Sequence, residues 1–124
     1  ILLKVKQKGV ACHTGTYTCF SEQVKGEDNQ IGAEMFGKLQ RIVDDRKRNP
    51  EEGSYTSFLF ARGIDKIAKK AGEEAVELVI ASKNDDKGEV IGEAADFLYH
   101  MMVLLREKDV KLSEVCSELY KRNK

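Results

Sequence analysis

At 124 residues the chain holds one modest domain, or a small domain with an appendage. Lysine plus arginine and aspartate plus glutamate balance at 21 each, which excludes a global basic field for nucleic acid. No apolar run approaches the roughly 18 residues of a membrane span, so no membrane partner is expected.

Three cysteines, an odd number, fit a reducing compartment such as the cytoplasm better than a disulfide framework. The chain opens on ILLKVKQKG, too short in its apolar part for a signal peptide. Its first residue is not Met, which points to a piece of something longer. In residues 1–20, Ile1, Leu3 and Val5 alternate with Leu2, Lys4 and Lys6 as in a strand. After Gly9 the stretch VACHTGTYTCF favours strand or extended loop. Cys12, His13 and Cys19 in it are candidate zinc ligands, but zinc wants three or four; unpaired core cysteines are the simpler explanation. Residues 21–31 read as a polar linker.

From about Ala33 the pattern turns helical. Met35, Phe36, Leu39, Ile42 and Val43 recur at three and four residues, predicting an amphipathic helix to about Arg48. Pro50 ends it. PEEGSYTS, residues 50–57, is a polar loop. A short helical turn follows over Ser57 to Arg62, and Gly63 breaks it. A long helix is predicted from Ile64 to Ser82. Asp86 and Glu89 have capping-box spacing, so another starts near Lys87 and reaches about Lys108. Ser113 can cap a last helix, with Val115, Leu119, Cys116 and Tyr120 facing inward. The fold class is all-α.

The two central helices carry the chemistry. At about 100° per residue, Glu73, Glu74 and Glu77 project from one side of the first. Glu93 and Asp96 lie one turn apart on the second, with His100 near their direction. From Ala94 to Leu105 that helix is apolar nearly all round, and such a helix is buried. Buried carboxylates are costly unless paired or bound to a metal. Crowded together they repel, and a divalent cation relieves this. The plainer explanation is a solvated stripe in which Glu73 and Glu77 pair with Lys69 and Lys70. An aspartate inside AADFLYHMMVLL argues against it. Mg²⁺ prefers oxygen ligands and keeps phosphates in its shell, so the acids suit Mg²⁺ clamped on a polyphosphate. Lys66, Lys69, Lys70 and Arg46 could grip phosphates, or be ordinary surface and helix-end charges. Ser54, Tyr55 and Thr56 offer hydroxyls and backbone N–H groups, or simply solvate a loop. His100 could orient a carboxylate or move a proton, or be a satisfied core histidine. A lone subunit would leave much apolar helix uncovered, which argues for an oligomer.

These residues resemble a known family. PEEGSYTS, KKAGEEAVE and DFLYH occur in the order found in phosphoribosyl-ATP pyrophosphohydrolases, over about residues 34–122. The ExxE…ExxD pattern is shared more widely with MazG-like all-α nucleotide pyrophosphohydrolases. The resemblance implies a helical bundle completed by homodimerisation, with sites near the subunit interface. It implies Mg²⁺-dependent hydrolysis of a small-molecule nucleotide, phosphoribosyl-ATP, to phosphoribosyl-AMP and pyrophosphate. Glu74, Glu77, Glu93 and Asp96 would be the metal ligands, with Glu73 a ligand or the base. GVACHTGTYTCF resembles the C-terminal end of phosphoribosyl-AMP cyclohydrolase, to which it is fused in many bacteria. Cys12 and Cys19 map to two of that family's zinc cysteines; the third, and an aspartate-rich metal motif, are absent here. Residues 1–20 are therefore expected to be a remnant without ring-opening activity, and Zn²⁺ belongs only to an intact cyclohydrolase domain. Residues 21–31 are the linker and 32–124 the hydrolase domain. Two alternatives stay open: a housekeeping (d)NTP pyrophosphatase of the same superfamily, and a non-catalytic helical interaction module.

Overall fold

The computed structural model describes residues 32–123. The strand-like N-terminal stretch, Cys12, His13, Cys19 and the linker lie outside the described residues. Five helices follow one another without a strand among the described residues: α1 (Gly32–Arg48), α2 (Tyr55–Arg62), α3 (Ile64–Ala81), α4 (Lys87–Glu107) and α5 (Leu112–Arg122). The fold is all-α.

Local chemistry sets the boundaries. The Ser54 hydroxyl accepts from the Ser57 N–H at 3.3 Å, and the Ser57 hydroxyl accepts from the Glu51 N–H at 3.0 Å. These bonds satisfy donors at the helix start. They begin α2 at Tyr55, earlier than apolar periodicity alone predicted. Gly63 has φ 80° and ψ −176°, and its N–H donates to Leu59 and Phe60 at 3.2 and 3.1 Å. One residue thus closes α2 and opens α3. Asp86 Oδ1 accepts from the N–H groups of Gly88 and Glu89 at 2.8 and 3.2 Å. The Glu89 side chain does not return to complete a box; it accepts from Asn84 Nδ2 at 2.9 Å. At α5 the Glu114 carboxylate takes the Lys111 N–H at 2.8 Å, so the helix starts at Leu112 and Ser113 is not its cap.

The core is small. Val43, Leu59, Ile67 and Val103, one from each of α1 to α4, are almost wholly buried together, with Leu39, Phe60, Tyr99 and Leu104 against them. Truncating any of the four to alanine removes several buried methyl groups, a loss of about 1–5 kcal/mol. The ends of α1 and α4 are pinned electrostatically. Lys47 Nζ donates to the Glu107 carboxylate at 2.9 Å and to the Arg106 carbonyl at 3.2 Å, and Arg106 pairs with Asp44 at 2.8 Å. A cation among the last carbonyls of a helix is well placed.

Two expectations about burial are corrected. α4 is not enclosed over Ala94 to Leu105: His100, Met102 and Val103 are buried, whereas Ala95 and Asp96 are exposed; before that run Ile91 is 58% exposed. On α3, Val76, Val79 and Ile80 are 58–62% exposed. Among the described residues too few helices pack round the α3–α4 pair to cover its outer face. α5 buries nothing: Val115 is half-buried, but Cys116, Leu119 and Tyr120 are exposed. No helix among the described residues is long and apolar enough to cross a membrane.

Candidate active site

Helix geometry decides which acids meet. Glu74 and Glu77 are three residues apart on α3, hence neighbours on its surface. α4 packs along α3 and brings Glu93 to them. One carboxylate oxygen from each of Glu74, Glu77 and Glu93 lies within 4.8 Å of the others. Glu74 is the deepest, only 5% exposed; Glu93 is half-buried and Glu77 exposed. Asp96 is not in this trio. It lies a turn along α4, on the open side, near enough for its charge to act on Glu93. The reason it is not sunk in apolar surroundings is the uncovered face of α4.

The electrostatics follow. Partial desolvation pushes the Glu93 carboxyl above its ordinary range, and the carboxylates of Glu77, Asp96 and Glu74 push it further. Glu74 goes the other way. Its hydrogen bond from Lys70, 2.6 Å from Nζ to Oε1, holds the carboxyl below its ordinary range against desolvation, and raises the Lys70 ammonium in turn. Glu73 leaves the trio altogether. It faces Lys69 at 3.5 Å and Lys70 at 3.4 Å, the solvated pairing foreseen as the plainer explanation for both Glu73 and Glu77. That explanation describes Glu73 and fails for Glu77, which turns toward the other acids.

Behind Glu74 lies a polar wall. His100 is buried, and its Nδ1 lies 2.8 Å from the Asp96 carbonyl. A carbonyl only accepts, so Nδ1 carries a proton, and Nε2 shares a 3.3 Å hydrogen bond with the Tyr55 hydroxyl. His100 Nδ1 is 3.9 Å from Glu74 Oε1, close but beyond a hydrogen bond. Thr56 shares a 2.7 Å hydrogen bond with the Tyr99 hydroxyl, and the Tyr55 and Tyr99 rings stack 6.3 Å apart. His100 is thus a satisfied core histidine that also ties α2 to α4. Periodicity gave no sign of these long-range hydroxyl pairs.

The remaining candidates are dispersed. Ser54 caps α2, and Thr56 is committed to Tyr99. Tyr55 stays nearly half exposed. Arg46 pairs with Asp45 at 2.6 Å and with Glu51, at the far end of the PEEGSYTS loop. Lys66 is half-buried on α3, one turn before Lys70. What the arrangement offers chemically is a set of oxygen donors from two helices with more negative than positive charge. Such a set fits a hard divalent cation.

Comparison with known proteins adds the following. A family model described as phosphoribosyl-ATP pyrophosphohydrolase matches residues 36–123. The histidine biosynthesis bifunctional protein HisIE of Caldanaerobacter subterraneus is 51% identical over 124 residues, covering 100% of this chain and 60% of that protein. The bifunctional HisIE of Bacillus subtilis is 46% identical over 126 residues, covering 99% and 59%. The phosphoribosyl-ATP pyrophosphatase of Clostridium acetobutylicum is 53% identical over 90 residues, covering 73% and 82%. The chain spans about 60% of the length of the bifunctional relatives it matches.

Proposed function

Because the chain belongs to the phosphoribosyl-ATP pyrophosphohydrolase family, we propose that it hydrolyses phosphoribosyl-ATP to phosphoribosyl-AMP and pyrophosphate in histidine biosynthesis. The observation that supports this beyond kinship is the meeting of Glu74, Glu77 and Glu93 from two helices within 4.8 Å. A non-catalytic module would have no use for such crowding, which costs stability.

Those three residues, with Asp96 beside them, would hold Mg²⁺. When bound, the ion neutralises phosphate oxygens and polarises water. The chain's own residues do the rest. Lys66, Lys69 and Lys70 line the same helix as Glu74 and meet the polyphosphate as it enters. Glu73, paired with Lys69 and Lys70, would be the base that takes a proton from the attacking water. Its carboxylate form is kept by those two ammonium groups. Tyr55, anchored on His100, leaves part of its ring exposed for the nucleotide. Water adds to phosphorus as the anhydride P–O bond breaks, and pyrophosphate leaves. Catalysis of this kind is mainly positioning and charge neutralisation. Arg46 would act through the loop that its pair with Glu51 ties to α1.

The active unit is a homodimer. Val76, Val79, Ile80 and Ile91, each more than half exposed on α3 and α4, form the apolar face a second copy would cover. Residues 1–20 are read as the end of a cyclohydrolase domain without ring-opening activity, with 21–31 as linker; the bifunctional relatives match this part of the chain too. The deciding experiment is pyrophosphate release from phosphoribosyl-ATP with and without Mg²⁺, beside a panel of free dNTPs. Turnover confined to phosphoribosyl-ATP and lost on chelation is expected. Equal turnover of dNTPs would point to a housekeeping pyrophosphatase instead. Sedimentation velocity should show a dimer, and a monomer at all concentrations would remove that part of the proposal.

A further inference from the structure

Glu74, the deepest of the three clustered acids, already has a cation. Lys70 sits one turn earlier on α3, and its ammonium lies 2.6 Å from Glu74 Oε1. The Lys70 side chain is only 23% exposed, and its other short contact is Glu73 at 3.4 Å. Lys69 differs on each count: 69% exposed, it reaches Glu73 at 3.5 Å, and no ion pair joins it to Glu74. An ammonium hydrogen-bonded to a carboxylate oxygen and a divalent ion on the same oxygen repel strongly at such separations. One of them must give way. The lysine can, because its four-carbon stem is flexible and its charge is a compact point with no fixed geometry.

We propose that Lys70 is a built-in counter-cation that competes with the metal for Glu74. It neutralises the buried carboxylate while the metal is absent. It lets go when the metal takes Glu74, and the freed ammonium turns to the phosphates of the substrate. The inference rests on the metal-site reading above. It carries a linkage consequence: a phosphate ligand that captures the displaced ammonium helps the metal bind, and the metal helps the phosphate by the same factor.

The test is Mg²⁺ binding to the full chain by calorimetry, for wild type, Lys70→Met and Lys69→Met, with and without inorganic pyrophosphate. Lys70→Met should bind Mg²⁺ about tenfold more tightly than wild type, the order expected when one charge-assisted hydrogen bond no longer has to be broken. Without pyrophosphate, Lys69→Met should change Mg²⁺ affinity by no more than about twofold, because its exposed charge pairs with Glu73 and not with Glu74; the comparison of the two variants is made in that arm, since with pyrophosphate Lys69 contributes its own phosphate contact. Pyrophosphate should tighten Mg²⁺ in the wild type and do so less in Lys70→Met. If Lys70→Met behaves as Lys69→Met, or binds more weakly than wild type, the competition does not exist even though the metal site does. If wild type, Lys69→Met and Lys70→Met all fail to bind Mg²⁺, the metal-site reading itself falls and takes this inference with it. Should Lys70→Met not fold, the wild type answers alone through its lysine side-chain NMR signals. The Lys70 ammonium resonance should shift or broaden into exchange with solvent as Mg²⁺ is added, while Lys69 stays. A Lys70 signal unmoved at saturating Mg²⁺ would overturn the proposal.

Discussion

Two regions of this small protein handle charge in opposite ways. Where the ends of α1 and α4 meet, anions and cations alternate: Lys47 with Glu107, Arg106 with Asp44 and Asp109. Each of these five charges has an opposite partner, and the outcome is a clamp between helices. On the facing sides of α3 and α4, Glu74, Glu77 and Glu93 share space, and Lys70 answers only the first of them among these three. Charge that serves the fold is matched within the chain. Charge left in excess asks for something from outside. That asymmetry, more than the number of acids, separates an active site from a structural salt-bridge network.

The largest test of this contrast is Glu93→Gln. It removes one of three converging donors, and pyrophosphate release from phosphoribosyl-ATP should fall about a hundredfold or more. A variant that keeps full Mg²⁺-dependent turnover would show the trio to be idle. Asp96→Asn should cost less, about tenfold, because Asp96 lies beside the trio rather than within it; unchanged turnover would remove it from the site. At the balanced end, Asp44→Asn should lower stability by at most about 1 kcal/mol in urea titration and leave the rate alone. A large loss of rate there would mean that the two regions are coupled.

The smallest effect is the most diagnostic, because its sign is unusual. The Glu93 carboxyl is held above the ordinary value of 4.5 in the folded chain. The folded state therefore binds the proton more tightly than the unfolded one, and stability falls as pH rises through the raised value. In chelator, Glu93→Gln should melt slightly higher than wild type at neutral pH, while losing the gain in melting temperature that Mg²⁺ gives the wild type. Glu74 has the opposite linkage. Its carboxyl is depressed by Lys70, so its contribution is present above 4.5 and lost as pH falls through the depressed value.

Much of the fold could be read in the sequence because it depends on neighbours along the chain. Gly63, Asp86 and the three-and-four spacing of apolar residues place α1 to α4 to within about two residues, as local rules allow. Glu74 and Glu77 were legible as neighbours for the same reason, since they share a helix face; that Glu73 and Asp96 stand outside the cluster was not. What was not legible depends on partners distant in sequence or in another copy. The apolar run from Ala94 to Leu105 promised a buried helix, yet Ala95 and Asp96 are open because no described residue covers that side. The hydroxyl pairs Tyr55–His100 and Thr56–Tyr99 span more than forty residues and leave no periodic trace. The four-residue spacing pairs Lys70 with Glu74, but it could not say that Glu74 is the deepest of the acids.

Gly63 has a consequence for chemical synthesis. Its torsions lie in a region essentially closed to L-residues but open to their mirror images, while no atom beyond its chain neighbours stands within 4 Å of where an L-residue's Cβ would project. The constraint is thus one of handedness rather than of room. A D-alanine introduced there by peptide ligation should be accepted and should even rigidify the corner by narrowing the unfolded ensemble, whereas its L-enantiomer, with the same atoms, should be refused.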